Sequence, residues 1–400
     1  MSWWAATCVA LASSTLAGCV AGEPRASEAL VETEAPGRSA PSSASPAASE
    51  GAAVGVASAV ASAPASAAAS ATPSPAPSPS TARGAPRPID MHVDTPYQVH
   101  FKGRAASLPE GQATSAMLRA GGYEAVVYPI YIPDYLNGGK PRVSDAEAIA
   151  KTLDAIVGEN PLLWPASRGP APEGKVLVLQ SIEGAGAFAD DVEAIDRFVA
   201  RGVRFVGPVH ARDNRLATSA TGDAQKKKPG GALGLSEIGE RFCERVYAKG
   251  ALVDVSHMSD ASFDGLAELA ERVGAPIVAT HSNARAVADH PRNLTDAQLR
   301  RIAQSGGVAG LNFHAGFLAR GREATLDDVV RHAKHMIAVA GIDHVGLGSD
   351  FDGATPPADL ADASRLPALA AALRKSGLSE DDVHKIYGDN VKRVLAWRPR

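Results

Sequence analysis

Residues 88–96 read PIDMHVDTP. An apolar lead-in between flanking prolines predicts a short buried strand, and the two-residue period of a strand puts His92 and Asp94 on one face. An imidazole and a carboxylate aimed at the same spot offer a divalent metal two lone pairs about one ligand distance apart. A His-x-Asp pair alone is more often a surface pair or a hydrogen-bonded turn. The remaining chain decides between these readings, because it repeats the pattern.

Outward from this stretch, strand-like and helix-like segments alternate, which is the rhythm of parallel α/β architecture. After the opening strand come YEAVVYPIYI (123–132), KVLVLQSIE (175–183), VRFVGPVH (203–210) and ALVDVSH (251–257). PIVATHS (276–282), GVAGLNFH (307–314) and HVGLGSDFD (344–352) complete a set of eight. Helical periodicity lies between them at Asp145 to Val157, Val192 to Ala200, Ser236 to Lys249, Ser262 to Arg272 and Leu326 to Ala340, with a closing helix at about Ser379 to Trp397. Eight strands with intervening helices in roughly 300 residues match a (β/α)8 TIM-like barrel, although a doubly wound open sheet has the same rhythm.

The ionisable residues fall at the C-terminal ends of these strands: His92 and Asp94, Glu183, His210, His257, His281 and Asp350. Taken singly, each has a bland explanation as a capping or half-exposed polar residue. Repeated at six of the eight strands, the placement points to one cluster, since a barrel gathers its chemistry on that face. The imidazoles and carboxylates exceed the four ligands of a single tetrahedral zinc, so the inventory suits two ions. A bridging carboxylate would hold them about 3.5–4 Å apart.

Composition limits the remaining possibilities. Of 400 residues, 45% are hydrophobic and 21% charged, which is ordinary for globular protein, and the formal net charge of −4 gives no electrostatic case for nucleic acid. Residues 1–18, MSWWAATCVALASSTLAG, read as a lipoprotein-type signal peptide, with Leu16-Ala17-Gly18-Cys19 resembling a bacterial lipobox whose cysteine carries the lipid. No Lys or Arg precedes the apolar run, and a plain cleaved signal peptide is the alternative. Either reading predicts export. Residues 19–86 are Ala, Ser and Pro with almost no large apolar side chains, so a disordered tether is expected there, with a packed domain over 87–400. With Cys8 and Cys19 in the leader region, only Cys243 remains in the domain, where it reads as a buried apolar residue on a helix.

The stretches HVDTP, SIEGAGAF, GVRFVGPVHARDN, GALGLSEIGE with ALVDVSHMS, ATHSNARAVADHPRNLTD, GGVAGLNF, HVGLGSDFDG and YGDNVKRVL run in order through residues 88–396. Together they resemble the membrane dipeptidase (renal dipeptidase) family, peptidase family M19 of the amidohydrolase superfamily. The resemblance implies that His92 and Asp94 hold one zinc, His257 and His281 a second, and Glu183 bridges both. It implies that a hydroxide between the metals attacks the scissile carbonyl, that His210 stabilises the oxyanion, and that Asp350 relays the proton to the leaving amine. Arg292, in HPRN, would bind the substrate's terminal carboxylate; a guanidinium fork fits that group bidentately. Dipeptides, including those with a C-terminal D-residue, are the implied substrates, and family members commonly form homodimers.

The chain departs from the family pattern at His314, where a tyrosine is frequent, and at Ala185, which interrupts a double glycine. Both lie near the expected pocket and bear on side-chain preference. The segment 218–234, TSATGDAQKKKPGGALG, reads as a lid or as a solvated loop tip carrying Lys226 to Lys228. Two other functions stand beside the dipeptidase. One is another amidohydrolase-type activity on a lactone or other amide, which loses ground because no lysine suited to carbamylation stands at the fourth strand end. The other is a non-catalytic surface lipoprotein, against which stands the complete set of expected ligands.

Overall fold

A computed structural model describes residues 83–223 and 234–399. The expected signal peptide, Cys19, most of the expected tether and Lys226 to Lys228 lie outside the described residues. Nine strands are present among those described: β1 (Ile89–Asp90), β2 (Ala125–Tyr131), β3 (Leu163–Pro165), β4 (Val176–Glu183), β5 (Val203–Gly207), β6 (Leu252–Val253), β7 (Val278–Ala279), β8 (Val308–Leu311) and β9 (Val345–Leu347). Eight pair in parallel in the order β6-β5-β4-β2-β1-β9-β8-β7. The ring closes on one bridge between Asp254 and Val278, where the Val255 N–H donates to the Val278 carbonyl at 2.9 Å. The fold is therefore the expected (β/α)8 barrel and not the open sheet.

The ninth strand, β3, was not read from the sequence. It pairs with residues 176–178 of β4, and β5 takes over the same edge from Gln180 onward, across a register shift. It therefore flanks the ring without entering it. The opening stretch also differs from expectation. Extended pairing runs only to Val93, and Asp94 sits at the N-terminus of a helix, Thr95–Lys102, whose first turn carries Pro96. His92 and Asp94 are neighbours across a strand-to-helix corner, not residues on one strand face.

Helices wrap the ring and bury one stripe each. Leu326–Ala340 buries Val329, Val330, Ala333 and Met336, and begins with a capping box between Thr325 and Asp328. The helix Glu237–Ala248 buries Phe242 and Cys243, as expected for that cysteine, and burial pushes its thiol pKa up. The helix Asp296–Gln304 was not read from the sequence; only Leu299 and Ile302 supply its large apolar contacts, in a polar stretch. The closing helix is broken by a π-helical turn at Lys385–Asp389. Inside the ring, Met91 fills the space left by Gly310 and Gly346, where an added Cβ would stand 2.8 and 3.1 Å from the Met91 methyl.

Both ends of the described chain lie at the N-terminal, closed end of the barrel. Arg83 donates to Asp389 at 2.8 Å, and with Glu124, just before β2, they line one cavity. Trp397 Nε1 donates at 3.3 Å to the carbonyl of Gly274, which precedes β7. The clustered ionisable residues occupy the opposite rim.

Candidate metal centre

Glu183 is the last residue of β4, and its two oxygens face different partners. Oε2 lies 3.7 Å from His92 Nε2, which in turn is 3.3 Å from Asp94 Oδ2. Oε1 lies 3.0 Å from His257 Nε2 and 3.7 Å from His281 Nε2. The two imidazole nitrogens on that side are themselves 3.0 Å apart. Glycine at 184 allows the turn after the glutamate: its φ is 78°, and a Cβ there would meet the Ile132 carbonyl at 2.8 Å.

Asp350 joins from the loop after β9 with φ 65°, a left-handed backbone tolerated by short polar side chains. Its N–H donates to the His92 carbonyl at 3.0 Å, and its Oδ2 accepts from Asn312 Nδ2 at 2.9 Å. His210 stands three residues beyond β5, with Nδ1 3.4 Å from the Tyr131 hydroxyl and its ring 4.3 Å from that of His257. All the strand-end residues read from the sequence are thus brought together, although most sit in the loops two to four residues past shorter strands.

Arg292 also reaches the cluster. It is buried beneath Phe317, with Nη1 3.4 Å from Ser282 Oγ and Nη2 3.1 Å from His257 Nε2. His314 stacks on the same Phe317 ring at 4.2 Å, and its Nδ1 accepts from the Gly316 N–H at 3.0 Å. Ala185 is fully buried at the start of a short turn of 3-10 helix.

Three supporting residues were not read from the sequence. Asp352 accepts from Thr95 at 2.7 Å, from Arg104 at 2.8 Å and from the Gln112 N–H at 2.9 Å, which pins the loop carrying Asp350. Asp90 accepts from the Ser349 N–H at 2.8 Å and the Tyr123 hydroxyl at 3.2 Å, tying β1 to the end of β9. Asp254 binds the loops after β6 and β7 to each other. The second aspartate of GSDFDG is the only sequence signal for any of these.

The electrostatics fit a cation among these groups. Burial pushes Glu183 up to about 8. Burial opposes charge on His92, but Asp94 and Glu183 outweigh it and hold its pKa at about 10. His257 and His281 are pushed well below the usual histidine range by burial, with Arg292 and neighbouring imidazoles adding to it. His210 falls to about 3, by burial and then Arg292. A divalent ion would compensate the buried carboxylates while taking neutral imidazoles as ligands. The donor set agrees: the groups His92, Glu183, His281; Glu183, His210, His257; and His92, Asp94, Asp350 each bring their ligand atoms within 4.8 Å of one another.

The centre is sterically closed on one side by Gly353. A Cβ there would stand 2.0 Å from Asp94 Oδ2 and 2.8 Å from Asp350 Oδ1, with no backbone strain to share the effect. Gly353→Ala is therefore expected to fold, losing about 1–3 kcal/mol of stability, yet to lose bound metal by displacing Asp94. Thermal unfolding and metal analysis of the purified variant check the two parts separately.

The description "Membrane dipeptidase (Peptidase family M19)" belongs to the family model that matches residues 86–397. The chain is 42% identical over 228 residues to an uncharacterized protein in the pqqA 5' region of Klebsiella pneumoniae, covering 56% of this chain and 83% of that one. It is 34% identical over 224 residues to a dipeptidase of Claviceps purpurea, covering 56% of this chain and 51% of that protein, about half its length. Among solved structures, a metallopeptidase from Rhodobacter sphaeroides, liganded with a phosphinate mimic of the dipeptide L-Ala-D-Ala, superposes with a TM-score of 0.68 at 29% identity, covering 78% of this chain and 99% of that one. Because the family match begins just before β1 and ends with the closing helix, the chain belongs to the membrane dipeptidase family, peptidase family M19, and is a metallopeptidase acting on peptide bonds.

Proposed function

We propose that the chain is an exported dipeptidase holding two divalent ions, zinc by the character of its donors, and that it accepts a C-terminal D-residue. The observation that carries the reading is the division of Glu183, one oxygen toward His92 and the other toward His257 and His281. His92 and Asp94 would hold one ion, His257 and His281 the other, with Glu183 shared. A pair of such ions, when bound, supplies an acidified water and polarises the scissile carbonyl.

The chain's own residues do the rest. Asp350 takes the proton of the attacking water and passes it to the leaving amine, held for that task by Asn312. His210 stays neutral in its buried position; in the tautomer whose Nδ1 accepts from the Tyr131 hydroxyl, its other ring nitrogen would be an N–H donor for the oxyanion. Arg292 lies against the imidazoles, with Nη2 3.1 Å from His257 Nε2. Its guanidinium would take a substrate's terminal carboxylate through its planar fork of N–H donors. A phosphinate mimic of L-Ala-D-Ala bound to the Rhodobacter relative supports a dipeptide with a D-residue as substrate.

Export, lipid attachment at Cys19 and a homodimer complete the proposal. Among the described residues no helix is long and apolar enough to cross a membrane. The test of activity is hydrolysis of L-Ala-D-Ala and L-Ala-L-Ala with zinc and with a chelator. Chelator-sensitive cleavage is expected; a metal-loaded protein that cleaves neither would end the dipeptidase reading and direct the search to lactones and other amides. For the anchor, incorporation of a labelled fatty acid that Cys19→Ala abolishes is expected, and labelling unchanged by that substitution would refute it.

A further inference from the structure

Asp254 is buried at the barrel seam, where the strands carrying His257 and His281 meet on a single bridge. Its carboxylate replaces the missing ladder. Oδ1 accepts from the Ser256 N–H at 3.0 Å, the Ser256 hydroxyl at 2.6 Å and the Thr280 N–H at 2.9 Å. Oδ2 accepts from the Thr280 hydroxyl at 2.5 Å. Ser256 Oγ in turn accepts from the His281 N–H at 3.1 Å.

The hydrogens along this network can be counted. A carboxylate only accepts, and a hydroxyl has one hydrogen. Thr280 gives its hydrogen to Asp254, so in its 2.8 Å contact with His281 Nδ1 the threonine can only accept, and the imidazole must donate. A neutral imidazole carries one N–H. With that hydrogen on Nδ1, Nε2 is left bare, facing Glu183 and His257.

We infer that Asp254 is a positioning residue which, through Thr280, holds His281 in the Nδ1–H tautomer and so keeps its Nε2 available as a ligand for a divalent metal. An outer carboxylate acting through a ligand's second nitrogen is a known way of orienting a metal-binding histidine; here a threonine hydroxyl carries the effect across one more bond. The inference rests on the metal reading above. It also predicts how each substitution acts. In Asp254→Asn the amide N–H2, if turned to Thr280, would send the threonine hydrogen to His281 Nδ1 and reverse the tautomer. Thr280→Val keeps the shape and removes the relay, whereas Thr280→Ser keeps the relay.

Two measurements on the full chain test this. Long-range proton–nitrogen NMR of the metal-stripped protein, labelled with 15N-histidine, shows which His281 nitrogen bears hydrogen; zinc titration against a competing chelator gives affinity. Expected are Nδ1–H in the wild type and in Thr280→Ser, with similar zinc affinity, and affinity about 10–100-fold weaker in Thr280→Val and Asp254→Asn. An Nε2–H signal for His281 in the wild type, or wild-type zinc affinity in Thr280→Val, overturns the inference. If Asp254→Asn does not fold, the Thr280 pair decides. Should the wild type bind no zinc, the metal reading fails, and the spectrum alone judges the tautomer: Nδ1–H sustains that part, Nε2–H removes it.

Discussion

Asp350→Asn, in zinc-loaded protein, is expected to lower kcat for L-Ala-D-Ala by about 10²–10⁴, the usual worth of a positioned proton carrier, with KM and metal content close to wild type. Asparagine suits this test because it tolerates the left-handed backbone at φ 65°, where alanine would add strain of its own. Its amide oxygen keeps the hydrogen bond from Asn312, and its N–H2 can donate to Asp94 beside it, so the loop should hold its place. Asp350 also belongs to one of the groups able to hold a metal, with His92 and Asp94. Metal analysis therefore separates two roles. Full metal content with lost turnover marks a proton carrier; lost metal would make Asp350 a ligand and leave the proton transfer to another group.

Glu183→Gln is expected to remove bound metal, by more than the roughly 10–100-fold that the loss of an outer partner costs, and hydrolysis with it. The amide has one accepting end and one donating end. Whichever way it turns, an N–H2 faces either His92 or the His257–His281 pair in place of a lone pair. The substitution also removes a buried carboxyl that a bound cation would keep ionised although burial alone pushes its pKa up to about 8, leaving Asp94 and Asp350 as the acidic groups of the cluster. Competition titration with a chelator and turnover of L-Ala-D-Ala are the readouts. Wild-type affinity in this variant would rule out a bridging role.

The barrel was readable because its strands are buried on both faces and so appear as apolar runs separated by helical periodicity. What misled was strand length. ALVDVSH and PIVATHS look like full strands, but the strands end at Val253 and Ala279 with only the Asp254–Val278 bridge beyond, since the residues there bond through Asp254, Ser256 and Thr280 instead of through a ladder. The helix at Asp296–Gln304 was missed because its two large apolar residues stand alone among Arg, Gln and Asp. The clustered residues were visible through their recurrence at strand ends, whereas Asp90, Asp254 and Asp352 act through partners distant in sequence, such as Ser349 for Asp90 and Gln112 for Asp352. Single aspartates carry no period, and only folding shows what they touch.

The first and last described residues both meet the closed base of the barrel, opposite the rim that bears the imidazoles. A chain continuing from Arg83 therefore joins the described domain at its base, on the side away from the imidazoles. Turnover of small peptides should accordingly differ little between the chain immobilised through its N-terminal segment and the free domain.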